Sequence, residues 1–263
     1  MLDRGFMFGD GVYEVIPVYA GKAFTLDRHL ARLDNSLGAV RIPNPMGIRE
    51  WKSLIGEAIT RSSEDLASAY VQVTRGLASH RSHIYPENPE PTVLVMVSPA
   101  PQLKRDRVDS LEMITLDDFR WSRGHIKTTS LIAAGMLKNE AVARGADDAI
   151  LVRDGHVTEA TASNVFLAVG GKLVTPPKNN VVLHGITRDL VIELAVEGGL
   201  EVVERPVSAS ELDEADEIFI TSSTHEAWPV GRLNGNTIGN GEGGVLWQEV
   251  DRLFQSYKAA VSA

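Results

Sequence analysis

Residues 11–19 read GVYEVIPVY, and their two-residue period commits the segment to a β-strand. Alternation puts Tyr13, Val15, Pro17 and Tyr19 on one face and Val12, Glu14, Ile16 and Val18 on the other. Pro17 has no N–H to give to a ladder, so the strand is expected at a sheet edge or beside a bulge. Ala20-Gly21-Lys22 reads as a hairpin turn into Ala23-Phe24. The glycines of DRGFMFGDG, residues 3–11, lead into this strand and not into a helix, so they do not form a dinucleotide-binding G-x-G-x-x-G fingerprint.

The period then changes to that of a helix. Thr25 or Asp27 can cap a helix over 28–40, with Leu30, Leu33 and Leu37 as its buried stripe. His29 and Arg32 lie three residues apart on an adjoining face. Arg32 is either a solvated surface arginine or an anion ligand. A second helix over 48–61 turns Ile48, Trp51, Ile55 and Ile59 inward, and strands follow over 69–74 and 92–97. The loop between those strands, RGLASHRSHIYPENPEP, clusters Arg75, His80, Arg81 and His83. In an extended loop Arg81 and His83 face the same side, where they would make a carboxylate site through charge-assisted hydrogen bonds; otherwise they are incidental solvated cations. Ser98-Pro99-Ala100-Pro101-Gln102 and the charged run to Asp109 form the best linker in the chain. A small N-terminal α/β domain is therefore expected over 1–98, a linker over 99–108, and a larger β-rich C-terminal domain over 109–263.

The second domain opens with a strand over 111–116. Residues 119–145, FRWSRGHIKTTSLIAAGMLKNEAVARG, read as a strand end, a turn and a helix over 131–144, with Thr128, Thr129 and Ser130 as N-cap hydroxyls. Lys127 sits at the join. Against a helix of small and apolar residues its amine is partly desolvated, which favours a neutral nucleophile suited to Schiff-base chemistry; the competing reading is an ordinary surface lysine. Strands over 148–153 and 156–158 meet at an Asp154-Gly155 turn. Glu159 then falls in a loop of small residues, as a site acid or a solvated one, followed by Thr161, Ser163 and Asn164. Gly170-Gly171 makes another hairpin turn, which Pro176-Pro177 ends.

LHGITR, residues 183–188, opens a helix over 189–196. Gly185 and Thr187 at that N-terminus suit a phosphate, which free N–H groups and the helix dipole favour, or else make a plain N-cap. Strands follow over 201–204 and 217–220. The second ends in Thr221-Ser222-Ser223-Thr224, a further phosphate contact or a capping turn. A last helix over 245–261 buries Leu246, Val250, Phe254 and Tyr257.

Composition narrows the function. The 263 residues carry a formal net charge of −9 with 43% hydrophobic residues, which disfavours both disorder and nucleic acid as a bulk electrostatic partner. There is no cysteine, so disulfides and thiol chemistry are excluded. No apolar run reaches the roughly 20 residues of a membrane span, and the opening residues lack a signal-peptide pattern, so a cytoplasmic protein is the default. Together, an amine that captures an aldehyde, an acid for a ring nitrogen and hydroxyls for a phosphate describe pyridoxal 5'-phosphate. Lys127 would carry it, Glu159 would keep a proton on its pyridine nitrogen, and Arg32, Thr187 and Ser223 would hold its phosphate.

Over nearly its whole length the sequence resembles the class IV (fold type IV) pyridoxal-phosphate aminotransferases. The stretches that carry the likeness are RGFMFGDGVYEV, HLARL, IKTTSLIAAGMLKNEA, VTEATASNVF, LHGITRD and ITSSTHEAWPV, in family order and spacing. The resemblance implies a two-domain mixed α/β (α+β) fold, a homodimer, and a cofactor site of Arg32, Lys127, Glu159, Leu183, Gly185, Ile186, Thr187, Ser222 and Ser223, with Leu183 against the pyridine ring. GVYEV and HRSH most resemble the D-amino-acid transaminases. That likeness implies that Tyr13, Arg81 and His83 hold the α-carboxylate of a D-amino acid such as D-alanine, with a 2-oxo acid such as 2-oxoglutarate as acceptor. A branched-chain L-amino-acid aminotransferase and an aminodeoxychorismate lyase are the alternatives of the same fold. A cofactor-binding protein without turnover is the rival from another class. Family members carry a further strand-forming segment ahead of the DRG motif.

Overall fold

The computed structural model describes residues 2–103 and 109–262. It divides into two compact units: Met1–Gln102 with Ile126–Leu131 and Val261–Ala263, and Leu103–His125 with Ile132–Ala260. Lys127 therefore groups with the N-terminal residues, although the sequence places it well inside the expected C-terminal domain. The expected linker over 99–108 falls partly on 104–108, outside the described residues. Among the described residues no helix is long and apolar enough to cross a membrane.

The first unit runs α1 (Arg4–Phe8), β1 (Gly11–Tyr19), β2 (Lys22–Ala23), α2 (Leu26–Val40), α3 (Ile48–Ser62), β3 (Leu66–Thr74) and β4 (Thr92–Pro99). Its antiparallel sheet has the order β2-β1-β3-β4. β1 is interior in that order, yet β2 pairs it only at Val18 and Tyr19. Pro17 O accepts from Phe24 N at 2.8 Å, so the Pro17 nitrogen also faces away from β3, where no ladder bond is lost. Alternation holds along β1: Val12, Ile16 and Val18 are buried against Leu30, Leu33 and Leu37 of α2 and Trp51, Ile55 and Ile59 of α3. Each fully buried Leu or Ile of this kind stabilises the fold by about 1.5–3 kcal/mol. Ile48, expected to point inward, is exposed: it begins α3, a turn before the helix meets the core.

The second unit runs β5 (Leu111–Asp117), α4 (Ile132–Ala143), β6 (Asp148–Arg153), β7 (His156–Ala160), β8 (Asn164–Val169), β9 (Lys172–Thr175), α5 (Ile186–Glu197), β10 (Val202–Glu204), α6 (Glu211–Glu214), β11 (Glu217–Ser222), β12 (Glu226–Leu233), β13 (Asn236–Thr237) and α7 (Val245–Ser262). The strands make one sheet of order β10-β9-β8-β11-β12-β5-β6-β7, with β13 on β12. Asp154-Gly155, Gly170-Gly171 and Asn234-Gly235 all have positive φ at both residues, the geometry that matches a two-residue hairpin to strand twist. The sheet is buried on both faces: Val165, Leu167, Ile218 and Ile220 join one core cluster, while Phe166 and Phe219 stack at 4.9 Å out of it. Such strands lack a clean polar alternation, and this is why β12 gave no signal of its own. On α7 the buried residues are Trp247, Val250 and Phe254; Leu246 and Tyr257 of the expected stripe are half-buried.

Candidate active site

Lys127 lies on a segment that pairs with the start of β1. Tyr13 N donates to Lys127 O at 2.9 Å, Thr129 N donates to Gly11 O at 3.0 Å, and Thr128 bridges Val12. The three hydroxyls expected to cap the following helix do different work. Thr128 Oγ1 donates to Gly11 O, Thr129 Oγ1 to Gly9 O and Gly11 O, and Ser130 Oγ to Gly9 O, at 2.9–3.2 Å. They tie the lysine's backbone to the strand instead of opening α4. A side chain on so fixed a backbone is held in place at both flanks. The Lys127 Nζ stands 4.4 Å from the centre of the Tyr13 ring, and Tyr13 packs on Tyr70 at 5.6 Å.

On the opposite face of β1 a charge enters the core. Glu14 is buried with the apolar residues, and the sequence signal for it was visible: an acid on the face shared with Val12, Ile16 and Val18. It takes Arg32 Nε at 2.7 Å and Arg32 Nη2 at 2.8 Å on its two oxygens, and Oε2 also meets His29 Nδ1 at 2.8 Å. Burial raises the Glu14 carboxyl, but Arg32 and His29 outweigh it and hold it down at about 2. Burial pushes His29 below its ordinary value, with Arg32 and Lys127 acting in the same direction and Glu14 against them. An ionised carboxylate only accepts, so the neutral imidazole carries its proton on Nδ1. Arg32, expected at a phosphate, is thus half of a bidentate ion pair in this structure.

Arg81 and His83 are brought together by Phe8. The His83 ring centre lies 5.3 Å and the Arg81 guanidinium 5.2 Å from the Phe8 ring. Arg75, read as one more loop cation, is instead buried: its Nε and Nη2 bind Asp10 at 2.8 and 3.0 Å.

In the second unit Glu159 lies in strand β7 and not in a loop, because the residues that follow continue the ladder to Ala160. It is buried. Oε1 accepts from Arg120 Nη1 at 2.8 Å; Oε2 accepts from Leu183 N at 2.9 Å and from Asn164 Nδ2 at 3.3 Å. Burial pushes the Glu159 carboxyl up from its ordinary value, while Arg120 and the Leu183 N–H pull against that. Arg120 is held in turn by Asp118, through Nε at 2.9 Å and Nη2 at 3.0 Å, and Asp118 also accepts from Thr158 Oγ1 at 2.8 Å. Sequence reasoning missed both Asp118 and Arg120, whose partners lie 40 and 39 residues away.

LHGITR opens a helix as expected, α5 starting at Ile186. Gly185 precedes α5 in extended backbone and offers no side chain to cap it; Thr187 is buried in the first turn. A Cβ on Gly185 would fall 1.9 Å from Asn164 Oδ1, so any larger residue would displace the Asn164 amide from Glu159 and Leu183. α5 packs on β11, at whose end Thr221 Oγ1 is buried with no hydrogen-bond partner. An orphaned hydroxyl and an uncapped helix start are groups that an anionic ligand would satisfy. Ser222 Oγ closes a local turn with His225 N at 3.0 Å.

A family model for "Amino-transferase class IV" matches residues 11–233. This chain belongs to the class IV aminotransferases. A D-alanine aminotransferase of Bacillus licheniformis is 41% identical over 254 residues, covering 97% of this chain and 89% of that protein. Another of Listeria monocytogenes serotype 1/2a (strain 10403S) is 36% identical, covering 96% and 88%. Among solved structures, a T.th. branched-chain amino acid aminotransferase with pyridoxamine 5'-phosphate superposes with a TM-score of 0.88 at 29% identity, covering 99% of this chain and 88% of that one. The branched-chain enzyme from Escherichia coli gives 0.88 at 24%, covering 97% and 87%, a likeness of fold. The expected mixed α/β, fold type IV architecture and aminotransferase class both hold.

Proposed function

We propose that this class IV aminotransferase moves the amino group of a D-amino acid, D-alanine among them, to a 2-oxo acid such as 2-oxoglutarate, using pyridoxal 5'-phosphate. The observation that carries the substrate reading is the pairing of Arg81 and His83 on one aromatic ring, which suits an α-carboxylate. Relatives named D-alanine aminotransferase support it at 31–41% identity. The branched-chain alternative is kept because a T.th. enzyme of that name is 29% identical, although a shared fold does not choose the substrate.

The residues present fit the cofactor: an acid supported on both oxygens, an uncapped helix start and an unsatisfied buried hydroxyl. When bound, it supplies an aldehyde that takes up the amino group and a ring that accepts the electron pair left by the Cα proton. Lys127 would anchor it covalently, and the released Nζ would take the proton from the substrate α-carbon as general base and deliver it, as general acid, to the carbon that was the cofactor's aldehyde. Glu159 would hold a proton at the ring nitrogen. Leu183, Gly185, Ile186, Thr187, Ser222, Ser223 and Arg32 would seat the ring and phosphate. Tyr13, beside Lys127 Nζ, would complete the carboxylate contacts.

The test is a substrate panel on purified protein: D-alanine with 2-oxoglutarate, L-leucine with 2-oxoglutarate, and aminodeoxychorismate alone. Pyruvate is expected from D-alanine only when 2-oxoglutarate is present; preference for L-leucine, or release of pyruvate from aminodeoxychorismate, would assign one of the alternatives. Arg81→Ala is expected to raise KM for D-alanine by about 10–100-fold, the size of a lost charge-assisted hydrogen bond, with cofactor affinity unchanged. An unaltered KM would remove Arg81 from the carboxylate site. A cytoplasmic homodimer completes the reading. It would cover apolar side chains such as Phe6, 73% exposed, and Ile84, 82% exposed, and light scattering at one chain mass would refute it.

A further inference from the structure

We propose that Arg4 is a positioning residue for the Arg81–His83 pair; this rests on the carboxylate role given to that pair above. Arg4 is buried, and its side chain joins Asp10 and Phe8, ahead of β1, to the loop after β3. Its Nε binds Asp10 Oδ2 at 2.7 Å. Its Nη1 donates to Ser82 O at 2.6 Å and more weakly to Ile84 O at 3.4 Å, the carbonyls on either side of His83. Its guanidinium lies 4.8 Å from the Phe8 ring and 5.6 Å from the Tyr85 ring. One side chain therefore grips the backbone around His83 and packs on the ring that gathers Arg81 and His83.

The grip is anchored on both sides. Asp10 is shared with Arg75, whose remaining donors reach Val40 O at 2.8 Å, on the last residue of α2, and Arg41 O at 2.7 Å, on the residue that caps it. Arg75 also stacks over Tyr85 at 3.5 Å. Burial would raise the Asp10 carboxyl, but Arg75 and Arg4 hold it below its ordinary value, so it stays an acceptor for both. The loop between β3 and β4 has no ladder over 78–91 to fix it. A planar fork that pairs with a carboxylate and two carbonyls at once is a task for arginine, and lysine has no equivalent geometry.

Two variants test this, Arg4→Met and Arg4→Lys, with hydrogen exchange of the cofactor-free protein as the readout independent of turnover. Amides of residues 80–86 are expected to exchange at least about 10-fold faster in either variant, with β1 and β3 unchanged. In the reconstituted enzyme KM for both D-alanine and 2-oxoglutarate is expected to rise about 10-fold while kcat changes less than about 3-fold. If Arg4→Met does not fold, Arg4→Lys, which keeps a charge for Asp10 and loses the two-carbonyl grip, carries the test. Wild-type exchange and wild-type KM in a folded variant would overturn the proposal. Faster loop exchange with no change in KM, where Arg81→Ala does raise KM, would overturn it equally. An Arg81→Ala enzyme with wild-type KM would instead refute the carboxylate reading on which it rests.

Discussion

Lys127→Ala is expected to lower kcat with D-alanine and 2-oxoglutarate by about 10⁴-fold or more, because one amine serves as covalent anchor, general base and general acid. The loss should be chemical and not conformational. The segment is held through backbone and neighbouring hydroxyls, Tyr13 N to Lys127 O and Thr129 and Ser130 to the carbonyls of 9 and 11, and none of these is lost with the side chain. Thermal unfolding of the cofactor-free variant should therefore match that of the parent. Borohydride reduction of the loaded protein followed by peptide mass analysis should place the cofactor on the Lys127 peptide of the parent and nowhere in the variant. Turnover near the parent level, or label on a different lysine, would refute the assignment.

Acid should unfold the cofactor-free protein through the Glu14 cluster. The unfolded chain binds a proton at Glu14 near 4.5 and the folded chain only at about 2, so the stabilisation is fully present above 4.5 and is lost as pH falls toward 2. That window corresponds to about 3 kcal/mol at 1.36 kcal/mol per unit. His29 begins the loss earlier. Its folded value lies below its ordinary 6.5, so below that pH the unfolded chain again takes up more protons than the folded one. Glu14→Gln removes the carboxylate that Arg32 and His29 share in the core, at an expected cost of about 3–5 kcal/mol at neutral pH. It should also flatten the acid slope between 4.5 and 2. Urea titrations of both proteins from pH 7 to 3 provide the check; parallel slopes would mean that the acid sensitivity lies elsewhere.

Where local pattern dictates structure, the sequence was readable. The alternation of 11–19, the leucine stripe of α2 and the paired turn residues at 154–155 and 170–171 each announce their geometry within a few residues. For Lys127, Glu159 and the hydroxyls at 187 and 223, residue chemistry offers a site role beside an ordinary surface or capping one, and motif resemblance is what chooses between them. What pattern cannot carry is long-range pairing: Arg120 finds Glu159 across 39 positions and Arg4 finds Ser82 across 78. Polar side chains were misread for a related reason. Thr128, Thr129 and Ser130 suit an N-cap by propensity, where a hydroxyl accepts from backbone N–H, but once the chain returns to β1 they donate to the carbonyls of Gly9 and Gly11. Glu159 looked like a loop acid because its small neighbours resemble a turn, whereas in the fold they let a buried strand pass close to Leu183.

Tyr13 and Glu14 are chain neighbours on opposite faces of β1, one beside the Lys127 amine and the other in the ionic core. The unbroken pairing of β1 with β3, from Gly11 with Thr74 to Tyr19 with Leu66, keeps them apart. A slip of one residue would exchange their faces, setting a carboxylate against the lysine and a phenol against Arg32 and His29. Placement of the amine's surroundings and integrity of the buried charges thus share one mechanical reference, so evolution of the pocket through insertions is closed on this strand and must proceed through substitutions or through the loops.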